Sequence, residues 1–492
     1  MKDFEQKVIR GGLAKIGAQG ATFVIRAGSL MVLARLLDPR DFGLVAMVTA
    51  FTGVLNLFRD FGLSQATVQR LEVTDDQIST LFWINVLVGV ILAAMLAGMA
   101  PVVAAFYHEP HLVWVTVILA TAFVFNGAGV QHVALLERQM RFTALATIDV
   151  VSLVVTTAIG IGMAVAHFGY WALVVAAVSG PLVSTICLWL TTGWIPGRPR
   201  SRVGLHSLMR FGGGLTLTNL IVYIAYNLEK VLLGRVWGAD ALGIYGRGYQ
   251  LVNLPTENLN SACWGVAFSG LSRVRNDPGR FKSYFLRGYS LILALTIPIT
   301  IAAALFAPDL IFVFLGPKWK DVSQIFRLLA PTILIFALIN PLAWLTFSLG
   351  MIGRNLKVVM VLAPLVIGGY VLGLPYGPKG VAFAYSAVMT IWVIPHIAWC
   401  VRGTVVSLSD ILLTASRPLG SGLVAAALAF GVQFSWGQSL SPLPRLILEV
   451  AVLLVVYIGM LFYVMGQKAV YVRLLQGLRS GSPMEGKTLV PA

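Results

Sequence analysis

Basic side chains interrupt stretches of this chain that are otherwise almost entirely apolar. Arg26, Lys230 and Arg247 each lie within such a stretch. A charged side chain at the centre of a bilayer costs at least ~2.5–3.5 kcal/mol unless it is solvated or paired. Such side chains therefore face water, a counter-charge or an anionic ligand, and Arg offers paired donors that match phosphate oxygens. One interpretation of Arg247 is an anion contact.

Polar residues accompany two of these basic side chains at helical spacing. One stripe contains Lys15, Gln19, Thr22 and Arg26, and the other contains Asn219, Tyr223, Tyr226 and Lys230. Both follow the spacing i, i+4, i+7 and i+11, which places four residues on one face of a helix. We expect both stripes to line a water-filled cavity. Hydrogen bonding between helices is the alternative, because Asn, Thr and Tyr often serve that purpose in membranes.

A third polar face falls in and just before the stretch GYQLVNLPTENLNSACWG. It consists of Arg247, Gln250, Asn253, Glu257 and Asn260. Pro255 removes a backbone donor from the same helix, which predicts a kink there. Two interpretations of the charged residues stay open. Arg247 and Glu257 form an ion pair that serves only structure, or Glu257 changes its protonation state beside an anion held by Arg247.

Two further charged residues, Arg59 and Asp60, lie near the predicted cytoplasmic end of the second span. A gating role is one interpretation of this pair. A structural salt bridge at the membrane surface is an equally good one, because exposed ion pairs are common and contribute little.

The elements that position these residues follow from the composition. The chain has 492 residues, of which 58% are hydrophobic and 11% are charged, and its mean hydropathy is +0.84. Soluble proteins carry about 25% charged residues. Uncharged runs such as 84–105 match the ~30 Å hydrocarbon core of a bilayer. We therefore predict an all-α polytopic membrane protein.

No sequence motif indicates a catalytic or cofactor site. The chain lacks a GxxxxGK[ST] phosphate loop and any HExxH or CxxC spacing, so we predict neither ATP hydrolysis nor a metal site. No loop is long enough to hold a soluble catalytic domain. The three cysteines lie in apolar runs and are interpreted as small buried residues. We predict no cofactor and no enzymatic activity.

Fourteen spans fit the hydropathy of the chain. They run over 12–36, 43–63, 80–105, 111–132, 146–166, 170–194, 211–236, 241–271, 289–314, 325–350, 358–376, 380–402, 417–437 and 443–464. With the N-terminus inside, 24 of the 36 Lys and Arg residues fall on cytoplasmic segments and 7 on outside segments. This imbalance predicts cytoplasmic termini, and it accounts for the net charge of +16 without nucleic acid.

A faint internal repeat suggests how the spans are grouped. Shifting the chain by 200 residues pairs Leu33, Arg35 and Gly43 with Leu233, Arg235 and Gly243. The first span then falls on the seventh, so the two copies enter the membrane in the same direction. We predict two parallel six-helix lobes. The predicted segments are an N-lobe at 1–194, a basic cytoplasmic linker at 195–210, a C-lobe at 211–402, two more spans at 403–464 and a cytoplasmic tail at 465–492.

Several segments resemble one known family. They are LARLLDPRDFGLVAM (33–47), DFGLSQATVQ (60–69), STLFWINVLVG (79–89), QHVALLERQMRF (131–142), YGRGYQLVNLP (245–255) and LAPTILIFALINP (329–341). In this order, along roughly the first 400 residues, they resemble the bacterial polysaccharide flippases of the MOP superfamily. The most similar group is the Wzx-type oligosaccharide flippases that resemble colanic acid exporters.

This resemblance implies a fold and a cargo. It implies two lobes around a cavity that opens alternately to each side of the bacterial inner membrane. The cargo would be undecaprenyl-pyrophosphate-linked oligosaccharide, moved by a gradient of H+ or Na+ or by the membrane potential. Polysaccharide polymerase and export components would be its protein partners. Alternatives are a multidrug exporter of the same fold and a flippase for lipid-linked peptidoglycan precursor.

The candidate residues can be assigned to that cargo by their chemistry. For the pyrophosphate we predict Arg26, Lys230 and Arg247. For the sugars and the cavity wall we predict Gln19, Asn219, Tyr223, Tyr226, Gln250 and Asn253. For coupling or gating we predict Glu257, Arg59 and Asp60. No residue is carried over from the family by motif, because the cavity residues vary among its members.

Overall fold

The computed structural model describes residues 20–59, 64, 67–68, 74–199, 220–435, 440–468 and 471. All regular structure within these ranges is helical. The prediction of an all-α protein is therefore confirmed.

The first half of the chain contains six long helices and the start of a seventh. They are α1 (20–36), α2 (Pro39–Asn56), α3 (Asp75–Tyr107), α4 (Leu112–Arg138), α5 (Phe142–Val165), α6 (Trp171–Thr192) and α7 (Leu228–Arg273). A helical segment at 220–225 precedes α7. Within α7, only Gly238 leaves helical geometry, with φ 81° and ψ −174°. This kink falls between the seventh and eighth predicted spans.

The second half continues with seven helices. They are α8 (Pro278–Leu305), α9 (Ala307–Phe314), α10 (Val322–Ser348), α11 (Ile352–Gly373), α12 (Gly377–Val401), α13 (Leu408–Ser435) and α14 (Pro442–Gly459). A five-residue π-helical turn, Met460–Val464, follows α14.

Local side-chain chemistry fixes several helix starts. The Gln77 backbone N–H donates to Thr74 Oγ1 at 3.4 Å, and the Thr74 N–H donates to Gln77 Oε1 at 3.2 Å. This reciprocal capping box satisfies donors that the first turn of α3 leaves open. At the start of α8, Asp277 Oδ1 accepts from the Arg280 N–H at 3.0 Å.

The helices are suited to a membrane. Among the described residues, nine helical stretches are long and apolar enough to cross a bilayer, with α11 and α12 counted as one stretch. Helices satisfy their own backbone polar groups, which hydrocarbon cannot do. The chain is therefore a multi-pass membrane protein. The number fourteen stays a prediction.

The chain divides into two compact units, Met1–Gly246 and Arg247–Ala492. In the first unit α4 packs against α3 and α6, and α5 packs against α6. In the second unit α10 packs against α8 and α12, while α13 packs against α14 and α8. The core of the second unit is built on large buried side chains that include Phe285, Tyr289 and Trp344. The lobe boundaries stay a prediction.

Two glycines allow a very close approach of α2 and α7 within the first unit. A Cβ atom on Gly43 would overlap the backbone carbonyl of Ala239, and one on Gly243 would overlap that of Pro39. With the 200-residue shift, Gly43 corresponds to Gly243 and Pro39 to Ala239. The shift therefore converts the Gly43–Ala239 contact into the Gly243–Pro39 contact. A two-fold relation between the two segments produces such paired contacts.

Candidate functional site

The polar residues at 223–230 form a connected group in the first unit. The Tyr223 hydroxyl donates to the Ala50 carbonyl of α2 at 3.2 Å. Its ring covers Gly53, where any Cβ would collide with the phenol. Tyr223 is thereby fixed against α2. A role for its ring face in sugar binding stays a prediction.

Lys230 is held in place by its own helix. Its Nζ donates to Asn227 Oδ1 at 2.6 Å, and Asn227 Nδ2 donates to the Tyr223 carbonyl at 2.9 Å. An ammonium group has three donors, and Asn227 uses one of them. Lys230 is half-buried. It is therefore a positioned cation that retains donors for an anion. The sequence stripe had not included Asn227.

Glu229 is a residue that the sequence analysis missed. Its side chain is fully buried, and neither carboxylate oxygen has a hydrogen-bond partner among the residues that the structure describes. It directly precedes Lys230, so the two neighbours carry opposite charges. A carboxylate in a membrane span is as unusual as the lysine beside it. That rarity was the signal available in the sequence.

The other candidates of the first unit are only partly described. Arg26 lies on α1 and is exposed, and Arg59 is half-buried just after the end of α2. Tyr226 is half-buried. Gln19, Asn219 and Asp60 lie outside the described residues, so the structure does not place them. The roles of all six stay predictions.

The polar face of α7 in the second unit carries the remaining candidates. Arg247 and Asn253 are half-buried, while Gln250 and Glu257 are exposed. Helical geometry continues from Gly238 to the end of α7, through Pro255. The departure from helical angles falls at Gly238 and not at Pro255, and a bend of the helix axis at Pro255 stays a prediction.

The helical geometry also corrects the proposed Arg247–Glu257 ion pair. The two residues are ten positions apart in a continuous helix, which corresponds to about 15 Å along its axis. An ion pair requires nitrogen and oxygen atoms within about 4 Å. A direct pair is therefore wrong. Each of the two residues keeps its own predicted role.

A small cavity whose lining includes four polar residues lies beside the same stretch of α7. Thr256 and Asn260 line it from α7, Thr296 lines it from α8 and Asn340 lines it from α10. Its volume of about 20 Å³ leaves room for roughly one water molecule. Part of the polar sequence around Pro255 thus faces protein in the interior of the second unit.

Comparison with known proteins identifies several relatives. A family model described as "Polysaccharide biosynthesis protein" matches residues 32–324. The lipopolysaccharide biosynthesis protein WzxC of Escherichia coli K12 is 26% identical over 382 residues, covering 75% of this chain and 76% of that protein. The teichuronic acid biosynthesis protein TuaB of Bacillus subtilis 168 is 28% identical over 295 residues, covering 57% and 59%.

Solved structures show the same fold. The lipid II flippase MurJ in an inward closed conformation has a TM-score of 0.74 at 13% identity, covering 95% of this chain and 100% of that chain. An inward-facing MATE-family multidrug resistance transporter of the MOP superfamily has a TM-score of 0.62 at 12% identity, covering 79% and 97%. At these identities the likeness concerns the fold alone.

Proposed function

This chain belongs to the family of polysaccharide biosynthesis proteins, and from that premise we propose that it is a flippase for undecaprenyl-pyrophosphate-linked oligosaccharide. The family match confirms the resemblance that the sequence motifs predicted. It covers residues 32–324 and is the observation that carries the proposal. Relatives named for lipopolysaccharide and teichuronic acid biosynthesis support a polysaccharide precursor as the cargo.

The proposed activity is transport of the lipid-linked unit across the bacterial inner membrane, without catalysis. The unit serves exopolysaccharide or lipopolysaccharide assembly. Access alternates between the two membrane faces, and a gradient of H+ or Na+ drives the cycle. Polymerase and export components are the proposed protein partners. Both termini face the cytoplasm in this proposal, as the distribution of Lys and Arg predicts.

Within each unit, the proposed contacts follow from side-chain chemistry. In the first unit Lys230 and Arg26 contact the pyrophosphate, and in the second unit Arg247 does so. Guanidinium and ammonium donors to phosphate oxygens are charge-assisted and therefore strong. Amide and phenol groups are proposed for the sugars, at Gln19, Asn219, Tyr223, Tyr226, Gln250 and Asn253.

Lys230 allows a direct test of anion binding. We expect Lys230→Gln to reduce flux by about ten- to a hundredfold, because a hydrogen bond to a charged group contributes about 1.5–3 kcal/mol. Lys230→Arg should restore most of it. Flux is measured with the purified protein in liposomes, using a fluorescent undecaprenyl-pyrophosphate-linked oligosaccharide. Lys379→Gln is the control, since it removes the same charge from an exposed position of α12. Equal flux in both Gln variants contradicts the assignment.

The same liposomes separate the alternative cargoes. Lipid-linked peptidoglycan precursor presents the same anionic chemistry and is assayed beside the oligosaccharide, and a cationic drug represents the multidrug alternative. Flux of the oligosaccharide in preference to both others is the expected result. Flux of the peptidoglycan precursor alone, or of the drug alone, would replace the proposed function by that alternative.

A further inference from the structure

Three charged side chains meet near the start of α14 in the second unit. Arg445 of α14 donates through Nη2 to Asp309 Oδ1 of the short helix α9. Glu449 lies one helical turn after Arg445 on α14. The residues Asp309 and Glu449 are 3% and 0% exposed. None of these residues belongs to the polar stripes predicted from the sequence.

Glu449 lacks the contacts that usually accompany a buried carboxylate. Neither of its oxygens has a hydrogen-bond partner within the described part of the chain. The charges that act on it are Asp309 and Arg445. The Arg445 guanidinium is already engaged with Asp309, so Glu449 competes with Asp309 for one cation.

The helices packed against α14 bring no further charge to this group. α14 contacts α8, α9 and α13. The charged residues of α8 (Arg280, Lys282 and Arg287) and of α13 (Asp410 and Arg417) lie in the first half of each helix, away from the α14 start. At this end α13 contributes the neutral Gln433. Asp309 and Arg445 are therefore the charged groups facing Glu449 from the described helices.

Charge balance then identifies what the group takes up. Two carboxylates and one guanidinium carry a net charge of −1 when all are ionised. A buried carboxylate without a counter-ion or a donor is strongly unfavourable in a membrane protein. One more positive charge restores neutrality. A hard metal cation requires about six or more oxygen ligands, whereas a proton requires one carboxylate oxygen. The proton is the occupant that fits.

An open cavity lies beside this group. A cavity of about 330 Å³ is lined by Pro308, Asp309, Phe430, Gln433, Phe434 and Arg445. Glu449 is not part of this lining and is fully buried. The distribution of Lys and Arg predicts that this end of α14 faces the periplasm. Protons would therefore enter from the side that a respiring bacterium acidifies.

We propose that Glu449 and the adjacent Asp309–Arg445 pair form a proton-binding site that couples transport to a proton gradient. Uptake of one proton converts the Glu449 carboxylate to the neutral acid and leaves Arg445 to Asp309. Release of that proton returns the charge, and Glu449 then competes with Asp309 for Arg445, which weakens the ion pair that links α14 to α9. The coupling step of this proposal rests on the proposed flippase function. Proton binding rests only on the cluster of Glu449, Asp309 and Arg445.

The first test detects the proton itself, whatever the cargo. Infrared difference spectra of the purified full-length protein, recorded between acidic and alkaline pH, should contain a carboxylic acid band that Glu449→Gln removes. Glu109→Gln is the control, since Glu109 pairs with Arg40 at 3.0 Å on the surface of the first unit. An unchanged band in Glu449→Gln overturns the proposal.

The second test measures coupling in liposomes under an imposed pH gradient. Glutamine imitates the neutral acid, so we expect Glu449→Gln to keep the wild-type melting temperature and to lose about tenfold stimulation of flux by the gradient, within the range typical of coupling. Glu449→Asp, which retains a titratable group, should recover part of it. Glu257→Gln is measured in parallel. Full stimulation in Glu449→Gln, or its loss only in Glu257→Gln, overturns the proposal.

The two tests keep the proposals distinguishable. In one outcome the wild-type protein moves no oligosaccharide, but its infrared band is absent from the Glu449→Gln variant. The proposed cargo then fails and the proton site stands. If oligosaccharide flux is normal and both Glu449 readouts are unchanged, the flippase assignment stands and the proton site fails.

Discussion

Replacing Gly243 or Gly43 by alanine is expected to destabilise the protein severely. At each position the new methyl group would lie within 3.0 Å of backbone atoms of the opposing segment, a separation that real Cβ atoms essentially never show. A flexible side chain could rotate away, but a helix backbone cannot. Overpacking of a well-packed contact costs about 1–3 kcal/mol, and backbone overlap places these variants at or above that range.

A matched control lies on the same helix. Around Gly246 of α7, no heavy atom falls within 4 Å of an added Cβ. Gly246→Ala should therefore gain helix propensity, worth up to about 1 kcal/mol, and melt no lower than the wild type. Melting temperatures in detergent, followed by size-exclusion chromatography of heated samples, compare the three variants. If Gly43→Ala and Gly243→Ala have the same melting temperature as Gly246→Ala, the close approach of α2 and α7 is not needed for stability.

These glycines show what the repeat in the sequence could predict. The 200-residue shift identified Gly43 and Gly243 as equivalent positions. Equivalence implies similar surroundings, because related segments fold alike. It does not imply that the two segments touch each other. The reciprocal contacts with Ala239 and Pro39 depend on the path of the chain over 200 residues, and no local pattern contains that information.

The helical class and the membrane location followed readily from hydropathy. Hydrocarbon forces every backbone polar group to be satisfied within the segment, so long apolar runs have few structural alternatives. α7 shows the limit of this approach. It is 46 residues long and polar enough that none of it qualifies as a membrane span by hydropathy within the described structure. Its continuity through Pro255 could not be predicted from composition.

Individual charges were predicted less well than helices. Arg247 and Glu257 share a broad helical face, and that criterion ignores the distance along the axis that separates them. Glu229 and Glu449 were overlooked for the opposite reason, since one carboxylate barely changes the mean hydropathy of an apolar span. Both are fully buried in the structure. A search for single carboxylates inside spans would have found them.

Removing the guanidinium of Arg445 should cost far more stability than removing an exposed one. Arg445→Met leaves Asp309 and Glu449 buried without their shared cation. Breaking a buried ion pair from one side typically costs about 3–5 kcal/mol. Arg40→Met provides the comparison, because Arg40 is 54% exposed in its pair with Glu109. Exposed pairs contribute about 0–1 kcal/mol, so this variant should melt close to the wild type.

A second substitution decides whether charge or packing explains the loss. If Arg445→Met destabilises by stranding two carboxylates, neutralising both of them removes the penalty. The triple variant Arg445→Met, Asp309→Asn and Glu449→Gln should therefore recover most of the melting temperature, since replacing a whole buried charge group is often neutral or stabilising. If Arg445→Met instead destabilises by a loss of packing, the triple variant should stay equally destabilised. The control is the double variant Asp309→Asn and Glu449→Gln, which keeps Arg445. If the melting temperature recovers in the triple variant and does not rise in the double variant, the cost of Arg445→Met is electrostatic. Equal destabilisation of the single and triple variants would assign Arg445 to packing and remove the charge balance on which the proton at Glu449 depends.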